Sequence, residues 1–179
     1  MADAWSAVGG AFIGAFAGIG AGIVLEAFKR YRDRVGTASA LVGEISAILD
    51  IANTREYVQY SDWLLEKLRQ APGHKVAMLF GDPKLVDPIL EKHLDKLGLL
   101  GGDLPERVAI FYSRVRAIRF DWARLSSHEF DDKLERRVDL VKFNGTLWKK
   151  TAVDGKVLCA DLKKLAARRH WLSTGYWFR

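Results

Sequence analysis

The chain is short of the residues that build disulfides, metal centres and catalytic sites. It has one cysteine, Cys159, which excludes an intramolecular disulfide framework and fits a reducing compartment. Its four histidines have no metal-ligand spacing among themselves or with Cys159. The sequence contains no P-loop, nucleophile elbow or dinucleotide fingerprint. We therefore expect a protein that is not an enzyme and that uses no metal or cofactor.

Charge is also absent from the first part of the chain. Residues 4–25, AWSAVGGAFIGAFAGIGAGIVL, contain no Asp, Glu, Lys or Arg, although 28% of the whole chain is charged. As a helix this stretch is about 33 Å long, enough for a hydrocarbon core of about 30 Å. The sequence therefore predicts a transmembrane helix in residues 1–25, with a short N-terminus, and one domain over residues 26–179.

Basic residues are missing before this stretch and crowded after it, at Lys29, Arg30, Arg32 and Arg34. Basic residues favour the cytoplasmic side, so we predict an external N-terminus and a cytoplasmic domain at the cell membrane. The same polarity disfavours a cleaved signal peptide, although Ala15-Phe16-Ala17 has the form of a cleavage site. A soluble hairpin of buried helix is a second alternative, which six glycines disfavour because glycine makes a poor soluble helix.

Glycine recurs every fourth residue within the predicted span, at Gly10, Gly14, Gly18 and Gly22. A face without side chains lets a second helix approach closely, so that packing drives association inside lipid. Because each chain has one span, a second copy is the simplest partner. We predict a homo-oligomer held by these glycines, and the alternative interpretation is that they only make the span flexible.

The formal charge of +6 belongs entirely to the part of the chain after the span. A basic cytoplasmic domain beside a membrane suits an anionic leaflet before it suits nucleic acid, which is not an expected partner. Near the C-terminus, basic residues precede an aromatic ending. We predict that this segment and the cluster after the span bind the membrane surface, through Lys29, Arg30, Arg32, Arg34, Lys163, Lys164, Arg168, Arg169, Trp171 and Trp177. Burial of the aromatic ending in the domain core is the open alternative.

Apolar residues recur at helical spacing through the rest of the chain. They predict one long helix from the span to about Asn53, and then a helix from Tyr57 to about Gln70 that Pro72-Gly73 ends. The short apolar run within residues 74–80 has no strand to pair with, so we predict a loop there. A third helix is expected to begin at Asp82-Pro83 and to end at Gly98.

Two Asp/Ser-x-x-Glu patterns predict further helix starts. Asp103-x-x-Glu106 precedes an apolar stripe of three heptads, whose preferred interpretation is bundle core rather than an intermolecular coiled coil. Ser126-x-x-Glu129 is expected to open the next helix, Asp154-Gly155 to end it, and residues 156–171 to form the last one.

These patterns together predict an all-α protein: a single N-terminal transmembrane helix that continues into a cytoplasmic bundle of about five helices. The role we expect is that of a non-enzymatic, homo-oligomeric membrane anchor or scaffold that presents the bundle to partner proteins. The rival class is a membrane-active effector, in which assembled glycine-striped spans perturb or open the bilayer.

Overall fold

The computed structural model describes residues 2–76, 87–127 and 129–167, with residues 2–21 described by their backbone alone. These residues form helices and no strand, which confirms the predicted all-α class. In chain order the elements are α1 (Ala2–Thr54), α2 (Tyr57–Gln70), α3 (Pro88–Lys92), a 3-10 helix (Leu94–Leu100), α4 (Leu104–Ser126) and α5 (Leu134–Ala167).

Helix α1 is continuous over 53 residues, so the charge-free N-terminal stretch and the first helix of the bundle are one element, as predicted. It ends at Thr54 because the backbone turns into the left-handed conformation at Glu56, where φ is 49°. The bounds of α2 are those the sequence predicts.

Helices α1 and α2 pack one after the other along α5. Ser46 of α1 contacts Cys159, and further along the chain the Tyr57 ring contacts Trp148 with centroids 5.9 Å apart. Near the start of α5, Arg137 donates hydrogen bonds to the carbonyls of the turn after α2. In these contacts the residue numbers increase along α1 and α2 while they decrease along α5. Helix α5 therefore runs antiparallel to both.

After α2, the 3-10 helix packs against α1, and α4 then packs along α5 in the same direction as α1 and α2. Lys96 in the 3-10 helix bonds Asp33 of α1 at 3.1 Å, so this segment ends beside the middle of α1. Helix α4 is antiparallel to α5, since Arg107 lies 3.0 Å from Asp161 near the end of α5, whereas Asn144 contacts Asp121 near the end of α4.

One end of the bundle therefore contains four segments: the part of α1 around Arg34, the end of the 3-10 helix, the start of α4 and the end of α5. We call it the proximal end and define it by Arg34, Leu100, Asp103 and Lys164, which line one shallow depression of about 360 Å³. The opposite end, the distal end, contains the end of α2 and, between α4 and α5, residues 127 and 129–133.

The core lies where α1, α2 and α4 pack against α5. All seven positions of the predicted stripe on α4 are buried, so this stripe is bundle core: Leu104, Val108, Phe111, Val115, Ile118, Trp122 and Leu125. Fully buried leucines and isoleucine from the other helices complete it, namely Leu41, Ile45, Leu64, Leu68 and Leu162. Burial of this apolar surface is the main stabilising contribution to such a bundle.

The prediction that Asp154-Gly155 separates two helices was wrong, because α5 runs unbroken through Gly155. A β-carbon built at Gly155 would lie 2.6 Å from Cε2 of Phe111, so glycine is there to let α4 approach. Ser126 does not open a helix either; it is the last residue of α4, and its hydroxyl donates to the carbonyl of Ala123 at 2.9 Å.

The third predicted helix also differs from the structure. Residues 81–86, with the expected start at Asp82-Pro83, lie outside the described part, as do residues 77–80 of the predicted loop. Helix α3 begins at Pro88, because the carboxylate of Glu44 in α1 accepts hydrogen bonds from the backbone N–H groups of Ile89 and Leu90, both at 3.0 Å. The chain then continues as a 3-10 helix past Gly98.

Candidate functional site

By length and composition, α1 is long and apolar enough to span a membrane. The part of α1 that satisfies this criterion is Gly22–Thr54, and 28% of its apolar window is buried within the bundle. Leu41 and Ile45 in that part are fully buried, so it is a bundle helix. That the charge-free residues 4–25 form the span stays a prediction from the sequence.

All four glycines of the predicted stripe lie on α1, and a similar set of small residues follows on its exposed side. Gly36, Gly43 and Ala47 are exposed, and a β-carbon at Gly36 or Gly43 would meet no atom within 4 Å. At 3.6 residues per turn, Gly18, Gly22, Gly36, Ala40, Gly43 and Ala47 lie within about 60° of one another around the helix axis. We call Gly36, Ala40, Gly43 and Ala47 the small face; Lys29 lies between it and the glycines of the span.

The basic residues after the candidate span divide into two groups. Lys29, Arg30 and Arg32 are exposed on α1, and Arg30 forms an exposed ion pair with Glu26 at 3.0 Å. Arg34 instead contacts the bundle, because its Nη2 donates to the carbonyl of Leu100 at 3.1 Å. The predicted surface cluster is thus a collar of Lys29, Arg30 and Arg32, followed by one arginine packed on the proximal end.

The basic residues near the end of α5 lie at this same proximal end. Lys163 and Lys164 are exposed, and Lys164 lies 3.3 Å from Asp161. Hydrogen bonds from Arg107, and then from Lys164, hold the pKa of Asp161 below its usual range. The remaining predicted surface residues lie outside the described part of the chain: Arg168, Arg169, Trp171 and Trp177.

Two carboxylates that sequence reasoning missed, Glu44, which is half-buried, and Asp87, which is buried, hold α3 in place. Besides capping α3, Glu44 accepts a 2.6 Å hydrogen bond from the hydroxyl of Tyr112, whose pKa burial and this bond both raise. Asp87 is 2% exposed and accepts hydrogen bonds from Arg116 at 2.9 Å and Arg119 at 2.8 Å. The sequence did contain a signal for Asp87 at a helix start, because Asp87-Pro88 repeats the Asp-Pro pattern found five residues earlier.

A buried arginine fixes the distal end of the bundle. Arg137 is 1% exposed, and its two terminal nitrogens donate to the carbonyls of Pro72 and His74. These carbonyls follow the end of α2, so the cation connects α5 to the turn there. Its position in a run of charged residues, KLERR, gave no sign of burial.

A groove of about 740 Å³ lies between α1, the start of α2 and α5. Its lining is mainly apolar and includes Trp148, Lys156, Lys163 and Cys159, which carries a free thiol. Ser46 contacts that thiol at 3.6 Å, but neither His74 nor His93 lines the groove. In the described part of the chain no cluster of three or more His, Cys, Asp or Glu could hold a metal ion.

No protein-family model, curated protein or solved structure matches this chain. Any function has to be inferred from the residues and contacts above.

Proposed function

We propose that this protein is a non-enzymatic, homo-oligomeric anchor or scaffold of the cell membrane. Residues 4–25 of α1 cross the bilayer once with the N-terminus outside, and the bundle is presented to partner proteins in the cytoplasm. Helix α1 as a whole has 53 residues and, at about 1.5 Å per residue, extends about 80 Å. An unbroken helix transmits the orientation of the span directly to the bundle, as a scaffold requires.

The observation that carries self-association is the small face on the cytoplasmic part of α1. Glycine inside a helix costs about 1 kcal/mol relative to alanine. At Gly155 packing against Phe111 explains the glycine, but at Gly36 and Gly43 nothing within the described chain requires one. Close approach of a second α1 would use both glycines, on the side that Gly18 and Gly22 face inside the span. Two parallel copies would thus contact each other in the membrane and below it.

Presentation to a protein partner is supported by apolar side chains on the outer side of α4 and α5. Phe120 and Phe143 are each 58% exposed, and Ile110 and Val157 line a common depression between the two helices. Val153 lies one turn before Val157 and is 63% exposed. Exposed apolar surface of this kind is typical of protein contacts.

Cross-linking of the full chain in membranes tests the oligomer. Gly14→Ile and Gly18→Ile in the span, and Gly43→Leu in the bundle, should each reduce the cross-linked dimer at least tenfold, because a large side chain separates the helices. Phe16→Ile, on the opposite side of the span, and Ala109→Leu, on an exposed position of α4, are the matched controls. Equal cross-linking of all five variants would refute association through α1.

Two further measurements separate a scaffold from a membrane-active effector. A reporter that is active only in the cytoplasm should work when fused after Arg179, as the basic collar predicts. Reconstituted protein should not release a small dye from liposomes, because no Ser, Thr, Asn or charged residue lies between Ala7 and Leu25 to line a polar pathway. Dye release that Gly14→Ile abolishes would favour the effector instead.

A further inference from the structure

Because α5 runs antiparallel to α1, the last residues of α5 lie at the proximal end, next to the part of α1 that follows the charge-free stretch. Arg34 and Lys164 line the same depression, although 130 residues separate them in sequence. If residues 4–25 span the bilayer, Arg34 lies nine residues beyond its edge, or about 13 Å along an upright helix. Headgroups occupy about 5–8 Å of that distance. The rest is about one Debye length at physiological salt, so charges on the proximal end act on the membrane.

The proximal end carries positive charge that its own acids do not balance. Lys29, Arg32 and Lys163 are exposed and have no acidic partner among the described residues. Four of the nearby acids hold cations, in the pairs Glu26 with Arg30, Asp33 with Lys96, Asp103 with Arg107, and Asp161 with Arg107 and Lys164. Two more acids, Asp95 in the 3-10 helix and Glu106 in the first turn of α4, are exposed. The three exposed cations outnumber these two acids, so the proximal end keeps a net positive charge toward an external anion.

We propose that the proximal end binds the anionic headgroups of the cytoplasmic leaflet, as a second membrane contact that holds the bundle against the bilayer. The proposal rests on the single-span function proposed above. Lys29, Arg32 and Lys163 form this contact.

The distance between the proximal end and the lipid surface tests this proposal on the full chain in liposomes. A donor dye is placed at Ala167→Cys, or at Lys133→Cys on the distal end, in a chain where Cys159 is replaced by Ala; both label positions are exposed. Energy transfer to an acceptor-labelled lipid is then measured in neutral phosphatidylcholine vesicles and in vesicles with 30% phosphatidylserine. Flotation of the vesicles establishes, independently, whether the chain is inserted.

We expect energy transfer from position 167 to rise in the anionic vesicles and to fall again at 1 M salt, while position 133 changes little. Each basic residue near an anionic surface contributes a factor of about five, so removing three should weaken docking about 100-fold. The test variant is Lys29→Gln, Arg32→Gln and Lys163→Gln together. Its control, which removes the same charge from exposed positions elsewhere, is Arg136→Gln, Lys142→Gln and Lys150→Gln.

The outcomes separate the two proposals. If the chain floats with the vesicles but position 167 transfers energy equally on neutral and anionic lipid, the second contact is refuted and the anchor stands. Equal losses in the test and control variants would also refute it, since net charge rather than the proximal end would then be responsible. A chain that does not float with either vesicle refutes the single-span anchor, and this inference with it.

Discussion

Gly155 allows a sharp test of why α5 is one helix. Its missing β-carbon would lie 2.6 Å from Cε2 and 3.1 Å from Cδ2 of Phe111, and 3.3 Å from Cδ2 of Leu49. Carbon atoms in contact are normally about 3.5–4.0 Å apart, so in Gly155→Ala the ring has to move by about 1 Å. Phe111 is only 2% exposed and packs edge-on against Tyr112, so it cannot turn into solvent.

The expected effect is the difference of two opposing terms. Overpacking a buried site costs about 1–3 kcal/mol, whereas replacing glycine by alanine inside a helix gains about 1 kcal/mol. For Gly155→Ala we expect a net loss of about 1 kcal/mol, which lowers Tm by about 3 °C in a chain of this length. Gly98→Ala, in the 3-10 helix, where a β-carbon would meet no atom within 4 Å, should instead raise Tm by about 2 °C.

Thermal unfolding of the full chain in detergent micelles, followed by circular dichroism, measures both variants. A third chain carries Phe111→Leu, which removes the ring atoms nearest Gly155; in that background Gly155→Ala should no longer destabilise. If Gly155→Ala raises Tm as much as Gly98→Ala does, close packing against Phe111 is not the reason for the glycine at position 155, and the explanation of the unbroken helix fails.

Three further predictions concern the polar groups. Asp87→Ala should lower the free energy of unfolding by about 3 kcal/mol in urea, since it leaves two arginines without their buried carboxylate; a change below about 1 kcal/mol would contradict this. Tyr112→Phe should cost about 2 kcal/mol by removing the hydrogen bond to Glu44, and no loss in the same assay would show that the bond contributes nothing. Because the pKa of Asp161 is lowered from 3.8, its stabilisation is present above pH 4 and is lost as the pH falls through the folded value. Between pH 6 and pH 2, Asp161→Asn should therefore lose less Tm than the wild type, and equal losses would refute the link.

Patterns that depend on neighbours in the chain could be predicted from the sequence. The bounds of α2 and the buried stripe of α4 follow from apolar residues spaced three and four apart, which determine one face of a helix locally. The continuity of α1 from the charge-free stretch to Thr54 was predictable for the same reason. The four glycines of the span were also evident, since their spacing needs no tertiary information.

Helix ends that depend on distant contacts could not be predicted. Local preference treats Asp154-Gly155 as a stop, but the preference amounts to about 1 kcal/mol and packing against α4 outweighs it. In the same way, Glu44 determines where α3 begins from 45 residues away. No local signal encodes an acceptor on another helix.

The amino-acid sequence by itself determined that this chain has an apolar, glycine-striped N-terminal helix followed by amphipathic helices, because these properties reside in short-range patterns of hydrophobicity and charge. Only the tertiary structure decided that α1 and α2 run in succession along α5, and that Lys164 therefore lies beside Arg34 at the proximal end. The physical reason is that helix direction and register come from side-chain packing between distant segments, which no run of neighbouring residues specifies.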